Sequence, residues 1–239
     1  SFQLQCPGFN FDLSRAGKGV SNGWFFFSTY NTEQAYTLLE VNASQKDKDF
    51  VMAINWKKAE EYFKAGKARK QSVKYAHNVY DEKSHSATST IKTEVSVMDV
   101  KDFPDIAYFF PCPKSPHGCD VSPTGEYIVG SGKLAALIPV FSFDKMIKAI
   151  AAKDFIGNFE GIPILKYESV LYGEVKKPGL GPLHTEFEEK GNAYTSMFVS
   201  SEVVKWNIKD LKILDRVPTY YSVGHLTVAG GDTKKPYGK

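Results

Sequence analysis

A loosely repeated pattern of glycine turns and short apolar strands is the feature that most constrains the fold of this 239-residue chain. Gly125 opens a strand that leads to Val140-Phe-Ser-Phe, and Gly191 opens a strand that leads to Lys205-Trp-Asn-Ile. The aromatic residues of the two later motifs stand 65 residues apart, which matches one propeller blade with an insertion. Short strands, glycine turns and radial repetition predict a β-propeller of antiparallel four-stranded blades.

A weaker third copy of the pattern runs from Asn22-Gly-Trp-Phe-Phe to Ala53-Ile-Asn-Trp. We therefore expect an all-β fold of about four blades, with Phe141 and Trp206 at equivalent blade positions. A β-sandwich stays open as the alternative, because two packed sheets use similar short strands and turns.

The composition agrees with a strand-rich globular chain. Hydrophobic residues make up 42%, charged residues 24% and aromatic residues 14%, and abundant Tyr, Phe, Val and Thr favour strands. The net charge of +3 is too small to indicate nucleic-acid binding. No run of about 18 apolar residues exists, so no membrane span is expected. Short helices are predicted at Lys57–Ala65 and Lys145–Lys153, the second capped by Asp144.

The cysteines and a glycine-rich segment form no recognised catalytic motif. Cys112 and Cys119 lie seven residues apart, which fits no Cys-x-x-Cys pattern. We interpret them and Cys6 as buried apolar residues, although a ligand role for Cys119 stays open. Gly130-Ser-Gly-Lys is followed by Leu134 where a phosphate-binding loop needs Ser or Thr, so a hairpin turn is predicted there.

Three histidines share a setting beside glycine or proline. His117 lies in Ser-Pro-His-Gly, His184 in Gly-Leu-Gly-Pro-Leu-His-Thr and His225 in Ser-Val-Gly-His-Leu. Glycine permits backbone angles closed to other residues and proline fixes φ, so each imidazole is held in place. Three such histidines on separate loops predict one convergent site for copper or zinc. For any one of them alone, a loop histidine with a satisfied hydrogen bond is the alternative.

These histidine motifs and the strands that follow them resemble the nitrous-oxide reductase family. The similarity runs through nearly the whole chain, and a long polar region is similar to the atypical second lineage of that family. The motifs that carry the resemblance are Pro116-His-Gly with Ser122-Pro-Thr-Gly-Glu-Tyr, Gly179-Leu-Gly-Pro-Leu-His-Thr, Gly191-Asn-Ala-Tyr-Thr, Val203-Val-Lys-Trp-Asn-Ile and Gly224-His-Leu.

The resemblance implies a partial domain. Residues 1–239 would form part of the N-terminal β-propeller domain, an open arc of the family's seven-bladed propeller, and the C-terminal cupredoxin domain would lie outside this chain. We expect the chain to be an internal fragment that is inactive alone. The family carries a sulfide-bridged four-copper cluster, to which His117, His184 and His225 would contribute ligands. Its two-copper electron-entry centre belongs to the cupredoxin domain.

The resemblance also implies a calcium site near the cluster. Its ligands would be Tyr30, Glu33 and Asp49, whose oxygen atoms suit a hard cation, and we expect them to converge near His117. Ser115 stands where the family has asparagine, which weakens this prediction. Ordinary surface charge is the alternative for the two carboxylates.

Lys205 is predicted to act in catalysis. It interrupts the apolar strand Val203–Trp206, where an inward lysine needs a reason, and an outward lysine is the alternative. The resemblance places the matching lysine beside the copper cluster, where a cation steers the substrate oxygen and assists its protonation. We expect the three histidines to lie within about 10 Å of each other, with Lys205 at the edge of their cavity.

The implied activity is the copper-dependent reduction of nitrous oxide to dinitrogen, the last step of denitrification. It consumes two electrons and two protons. The family is periplasmic and homodimeric, with the cupredoxin domain of the partner facing each cluster and a c-type cytochrome or a cupredoxin as electron donor. A non-catalytic propeller that serves as a binding scaffold, with structural histidines, is the alternative.

Overall fold

The computed structural model describes residues 1–7, 9–33, 37, 43–77, 89–229 and 231. In these ranges the chain is mostly strand, arranged in four sheets. The strands are β1 (Gln3–Gln5), β2 (Asn10–Ala16), β3 (Trp24–Asn31), β4 (Lys48–Asn55), β5 (Arg69–His77), β6 (Ser89–Asp99), β7 (Ala107–Pro113), β8 (Pro116–Val121), β9 (Tyr127–Gly132), β10 (Leu137–Ser142), β11 (Phe155–Phe159), β12 (Ile162–Leu165), β13 (Leu171–Lys176), β14 (Pro182–Phe187), β15 (Asn192–Met197), β16 (Glu202–Asn207) and β17 (Ile213–Pro218). The helices are α1 (Trp56–Lys64), α2 (Phe143–Ala152) and α3 (Tyr167–Val170).

The last sheet shows the predicted repeat most plainly. Its strands β14, β15, β16 and β17 follow one another in the chain and pair antiparallel throughout. The preceding sheet, β8-β9-β10-β13, is also four-stranded and antiparallel. Phe141 in β10 and Trp206 in β16 both belong to the third strand of their sheet, as the repeat predicts.

Insertions between the third and fourth strands explain why the copies differ in length. α1, β5 and β6 separate β4 from β7, and α2, β11, β12 and α3 separate β10 from β13, whereas β16 turns directly into β17. β12 pairs in parallel with β7 and extends the first blade to six strands, in the order β11-β12-β7-β4-β3-β2. The described residues thus form three antiparallel four-stranded units, fewer than the predicted four, in a propeller-like arc that does not close. β1, β6 and β5 form a separate three-stranded sheet.

Apolar side chains between neighbouring sheets form the core. Phe110 of β7 meets Phe141 edge-to-face, with ring centroids 4.8 Å apart. Val129 of β9 and Trp206 share a second buried cluster that joins the last two sheets. A fully buried side chain of this size stabilises the fold by about 1.5–3 kcal/mol, so the contacts between blades hold the arc together.

Both predicted helices are present, with different first residues. α1 begins at Trp56, capped by Asn55, and α2 begins at Phe143, capped by the hydroxyl of Ser142. The predicted cap Asp144 instead lies in the first turn of α2, where its negative charge is favourable. None of the helices in the described ranges is long and apolar enough to cross a membrane.

The first strand of each four-stranded unit, β2, β8 and β14, lies against the first strand of the next. Direct contacts join β2 to β8 and β8 to β14. Across β8 and β14, the N–H of Thr185 donates to the Asp120 carboxylate at 2.8 Å. Side chains from three distant parts of the chain therefore meet along these three strands, and all the predicted histidines lie in or beside them.

Candidate metal centre

The structure brings the three predicted histidines together. His117 is the second residue of β8, His184 is the third residue of β14, and His225 lies in the irregular segment after β17. We expected all three on loops at the inner ends of blades. That prediction is wrong for His117 and His184, because the glycines and prolines beside them open innermost strands instead of forming long loops.

The three imidazole rings form a continuous row, in which one pair meets edge-to-face and the other pair stacks. Nε2 of His117 and Nε2 of His184 are 3.2 Å apart, and their ring centroids are separated by 4.9 Å with an interplanar angle of 81°. His184 and His225 stack with centroids 4.2 Å apart. His184 is therefore the central member, in contact with the other two rings.

A close approach of β8 to β14 makes this contact possible. A Cβ atom added to Gly118 would lie 1.9 Å from the backbone oxygen of Leu183, far inside van der Waals contact. Only glycine therefore fits directly after His117 at this distance from the residue preceding His184.

Two neighbours orient the ring of His117. Its Nδ1 is hydrogen-bonded to the carboxylate of Asp12 in β2. Because an ionised carboxylate only accepts hydrogen bonds, Nδ1 is the donor in this contact, and Nε2 is the nitrogen that faces His184. The ring of Tyr30 lies edge-on to His117, with centroids 5.8 Å apart.

The environment of His184 favours its neutral form. The side chain is only 6% exposed. Burial, with further contributions from His117 and His225, lowers the pKa of His184 to about 4. A neutral imidazole is the form that binds metal ions, so this ring is ready for ligation at neutral pH.

A cavity of about 260 Å³ opens beside His184 and His225 and contains residues that the sequence analysis missed. Arg15 of β2 donates from Nε to Asp120 at 3.0 Å and from an Nη atom to Glu186 at 2.7 Å. Asp120 in turn accepts from the N–H of Thr185, next to His184. The cavity is lined by Leu13, Ser14, Arg15, Asp120, His184, Glu186, His225 and Leu226.

The three rings do not form a single-ion site on their own. Among the described residues, no three His, Cys, Asp or Glu side chains converge on one metal-ion position. Imidazole nitrogens are nevertheless donors that copper and zinc prefer.

The predicted calcium ligands are engaged by donors from the protein itself. Asp49 is fully buried, and its carboxylate accepts from Thr32, Ser44 and Ser115. Glu33 is exposed and caps the N–H of Gln45, and Tyr30 accepts from Lys133. Tyr30 does lie beside His117, but the described residues give the calcium prediction no support.

Lys205 contacts one glutamate and one tyrosine. It is in the third strand, β16, and pairs with Tyr194 of β15. Its ammonium nitrogen lies 3.4 Å from a Glu188 oxygen and 5.1 Å from the Tyr194 ring centroid. The position of Lys205 at the edge of the histidine cavity and its catalytic role both stay predictions.

The cysteines behave as apolar residues. Cys112 and Cys119 are buried in the cluster between the first two sheets, and burial raises the pKa of both thiols. Burial also raises the pKa of Cys6 to about 11. All three thiols are free, and the raised pKa values keep them protonated at neutral pH.

Comparison with known proteins finds several nitrous-oxide reductases. The chain is 29% identical over 222 residues to a nitrous-oxide reductase of Stutzerimonas stutzeri, an alignment that covers 88% of this chain and 30% of that protein. It is 28% identical over 242 residues to the nitrous-oxide reductase of Pseudomonas fluorescens, covering 96% and 32%. It is 34% identical over 138 residues to that of Cupriavidus necator, covering 53% and 20%. No family model matches the chain.

Two of these alignments cover most of the chain. They therefore include β8 and β14, the strands that carry His117 and His184. The chain spans about a third of the length of the curated relatives that it matches. It is therefore similar to part of the nitrous-oxide reductases.

Proposed function

We propose that this chain is part of a copper-dependent enzyme that reduces nitrous oxide to dinitrogen, and that His117, His184 and His225 provide ligands to its copper cluster. The contact of three imidazole rings from separate segments carries the proposal. Similarity to nitrous-oxide reductases over most of the chain supports the same reaction class.

The four-copper, sulfide-bridged cluster, when bound, would supply the electrons for reduction of N2O to N2 and water. The residues of this chain would hold and orient it. Asp12 keeps the proton of His117 on Nδ1 and thereby presents Nε2. Burial keeps His184 neutral. Arg15 and Asp120 join β2 to the backbone beside His184, which fixes the position of that ring.

The remaining features of the enzyme are proposals for the full-length protein. We propose a cupredoxin domain with a two-copper electron-entry centre, a periplasmic homodimer in which each cluster faces the partner's cupredoxin domain, and a c-type cytochrome or cupredoxin as electron donor. No step is assigned to calcium, because Tyr30, Glu33 and Asp49 are engaged by donors of the protein.

The test of the proposal is the copper content and N2O turnover of the full-length protein. We expect several copper ions per chain and N2O-dependent oxidation of a reduced electron donor. A binding scaffold with structural histidines is the alternative, and it predicts a folded protein without stoichiometric copper and without N2O reduction.

We predict that Lys205→Ala keeps most of the copper but lowers N2O turnover by at least about 100-fold, the lower end of the usual contribution of a positioned acid–base group. In this proposal the ammonium group leaves Glu188 and assists protonation of the substrate oxygen. Copper analysis and steady-state turnover in the full-length protein check this outcome.

The matched control is Lys212→Ala, which removes a 77%-exposed lysine paired with Asp210 at 3.9 Å and should leave turnover unchanged. Wild-type turnover in Lys205→Ala would contradict the catalytic role. Equal loss of copper and activity would assign Lys205 a structural role instead.

A further inference from the structure

The predicted calcium ligand Asp49 already has protein donors, and two lysines lie nearby. Asp49 accepts four hydrogen bonds: three reach Oδ1 from the N–H and hydroxyl of Thr32 and the hydroxyl of Ser44, at 2.8–3.1 Å, and one reaches Oδ2 from the N–H of Ser115, at 2.8 Å. An ionised carboxylate offers about four lone-pair sites. Four donors therefore satisfy both oxygen atoms of a side chain that is completely buried.

Two lysines donate hydrogen bonds to oxygen atoms of Tyr30 and Thr32. Lys133 donates to the hydroxyl of Tyr30, and its ammonium nitrogen lies 5.1 Å from the centre of that ring. Lys46 donates to the carbonyl oxygen of Thr32 at 3.2 Å and to its hydroxyl at 3.1 Å. A calcium ion needs six to eight oxygen ligands at about 2.3–2.6 Å, and a nearby ammonium group repels such an ion.

The backbone fixes Lys133 in this place. Its N–H donates to the carbonyl oxygen of Ser115 at 3.0 Å, while the N–H of Ser115 donates to Asp49. Lys133 follows directly after β9, where Gly132 allows close approach to the carbonyl oxygen of Pro113. Lys133 is thus held at the end of β9, the strand that pairs with β8, and β8 carries His117.

We infer that the ammonium groups of Lys133 and Lys46, and not a bound calcium ion, supply the positive charge near Asp49. Lys133 holds Tyr30, and Tyr30 lies edge-on to His117. The contacts among these described residues therefore do not require calcium. This inference rests on contacts around Asp49 and holds whether or not the histidines bind copper.

The first experiment measures calcium in the full-length protein. Wild-type protein is dialysed to equilibrium against about 1 mM CaCl2, at the upper end of the dissociation constants of extracellular calcium modules, and the calcium concentrations on the two sides of the membrane are compared. We expect less than about 0.1 bound calcium ion per chain, where a site with oxygen ligands would bind about 0.5 or more. We also expect the same melting temperature in CaCl2 and in chelator. Stoichiometric calcium, with a melting temperature raised by roughly 5–10 °C, would overturn the inference.

The second experiment replaces the ammonium group. Lys133→Met should lower the melting temperature by roughly 3–8 °C, because a charge-assisted hydrogen bond to a buried tyrosine is lost. Lys148→Met is the matched control: it removes an exposed lysine from an ion pair with Asp144 and should leave the melting temperature within about 1 °C. An unchanged melting temperature in Lys133→Met would overturn the role of Lys133. If that variant does not fold, the calcium measurement on wild-type protein still decides the inference. Neither readout depends on copper or on N2O.

Discussion

In the full-length protein, His184→Ala is expected to lower the copper content and to reduce N2O turnover by more than about 100-fold. Loss of a group that only orients a metal ligand costs about 10–100-fold, and loss of the ligand itself should cost more. His184 is the central ring of the three. Its Nε2 lies 3.2 Å from Nε2 of His117, and its ring stacks on His225. Its removal leaves the outer two rings without a common neighbour.

Copper analysis and turnover with a reduced donor measure this effect. His77→Ala is the matched control, because His77 ends β5 in the separate three-stranded sheet, and it should keep copper and activity. A melting curve of His184→Ala separates loss of the ligand from loss of the fold. Full copper with wild-type turnover in His184→Ala would rule out its role as a ligand.

The sequence predicted the blade repeat because the third strands are buried in the interior of the fold. Phe141 and Trp206 are at most 1% exposed, and such strands show apolar residues and fixed spacing in the sequence. The sequence could not reveal that β12 pairs in parallel with β7. That pairing joins an insertion of one blade to the sheet of its neighbour, and no local pattern encodes it.

The candidate centre was only partly predictable for the same reason. The glycines and prolines beside His117 and His184 are local signals, and they identified both residues. The side chains that hold these rings carry no such signal. Asp12 alternates with Phe11 and Leu13 in β2, whereas Arg15 has the parity of those two apolar residues, and a register shift in β2 separates it from Phe11. Their contacts bridge 105 residues to His117 and Asp120, and only the packing of β2 on β8 creates them.

The sequence indicated one cation for the candidate centre but not a second. Lys205 interrupts an apolar strand, and the resemblance places the matching lysine beside the cluster. The ammonium group of Lys205 contacts Glu188 and Tyr194, and its place at the cavity stays a prediction. Arg15, which the sequence analysis missed, lines the cavity. A lysine in an apolar strand is expected to have a partner. The sequence does not show on which face of the sheet that partner lies, or how far it lies from the three histidines.

Trp206→Ala is expected to lower the free energy of unfolding by about 3–5 kcal/mol, the usual cost of truncating a fully buried tryptophan. The side chain is 0% exposed and packs in the cluster between the last two sheets. Its Nε1–H donates to Thr195 at 2.9 Å, and the hydroxyl of Thr195 lies 2.8 Å from that of Thr185, the neighbour of His184. Truncation of Trp206 therefore creates a new cavity beside Thr195, whose hydroxyl contacts the neighbour of His184.

Urea unfolding of the full-length protein measures the loss, and two variants separate its causes. Trp206→Phe keeps most of the buried volume but removes the N–H donor, so it should cost only about 1–2 kcal/mol. Trp56→Ala removes a tryptophan that is 38% exposed and should cost less than Trp206→Ala, because less apolar surface is lost. Equal midpoints for Trp206→Ala and Trp56→Ala would contradict a core position for Trp206. Since Trp206 supports β14 through Thr195 and Thr185, we also expect Trp206→Ala to lower copper retention even at temperatures where the protein stays folded.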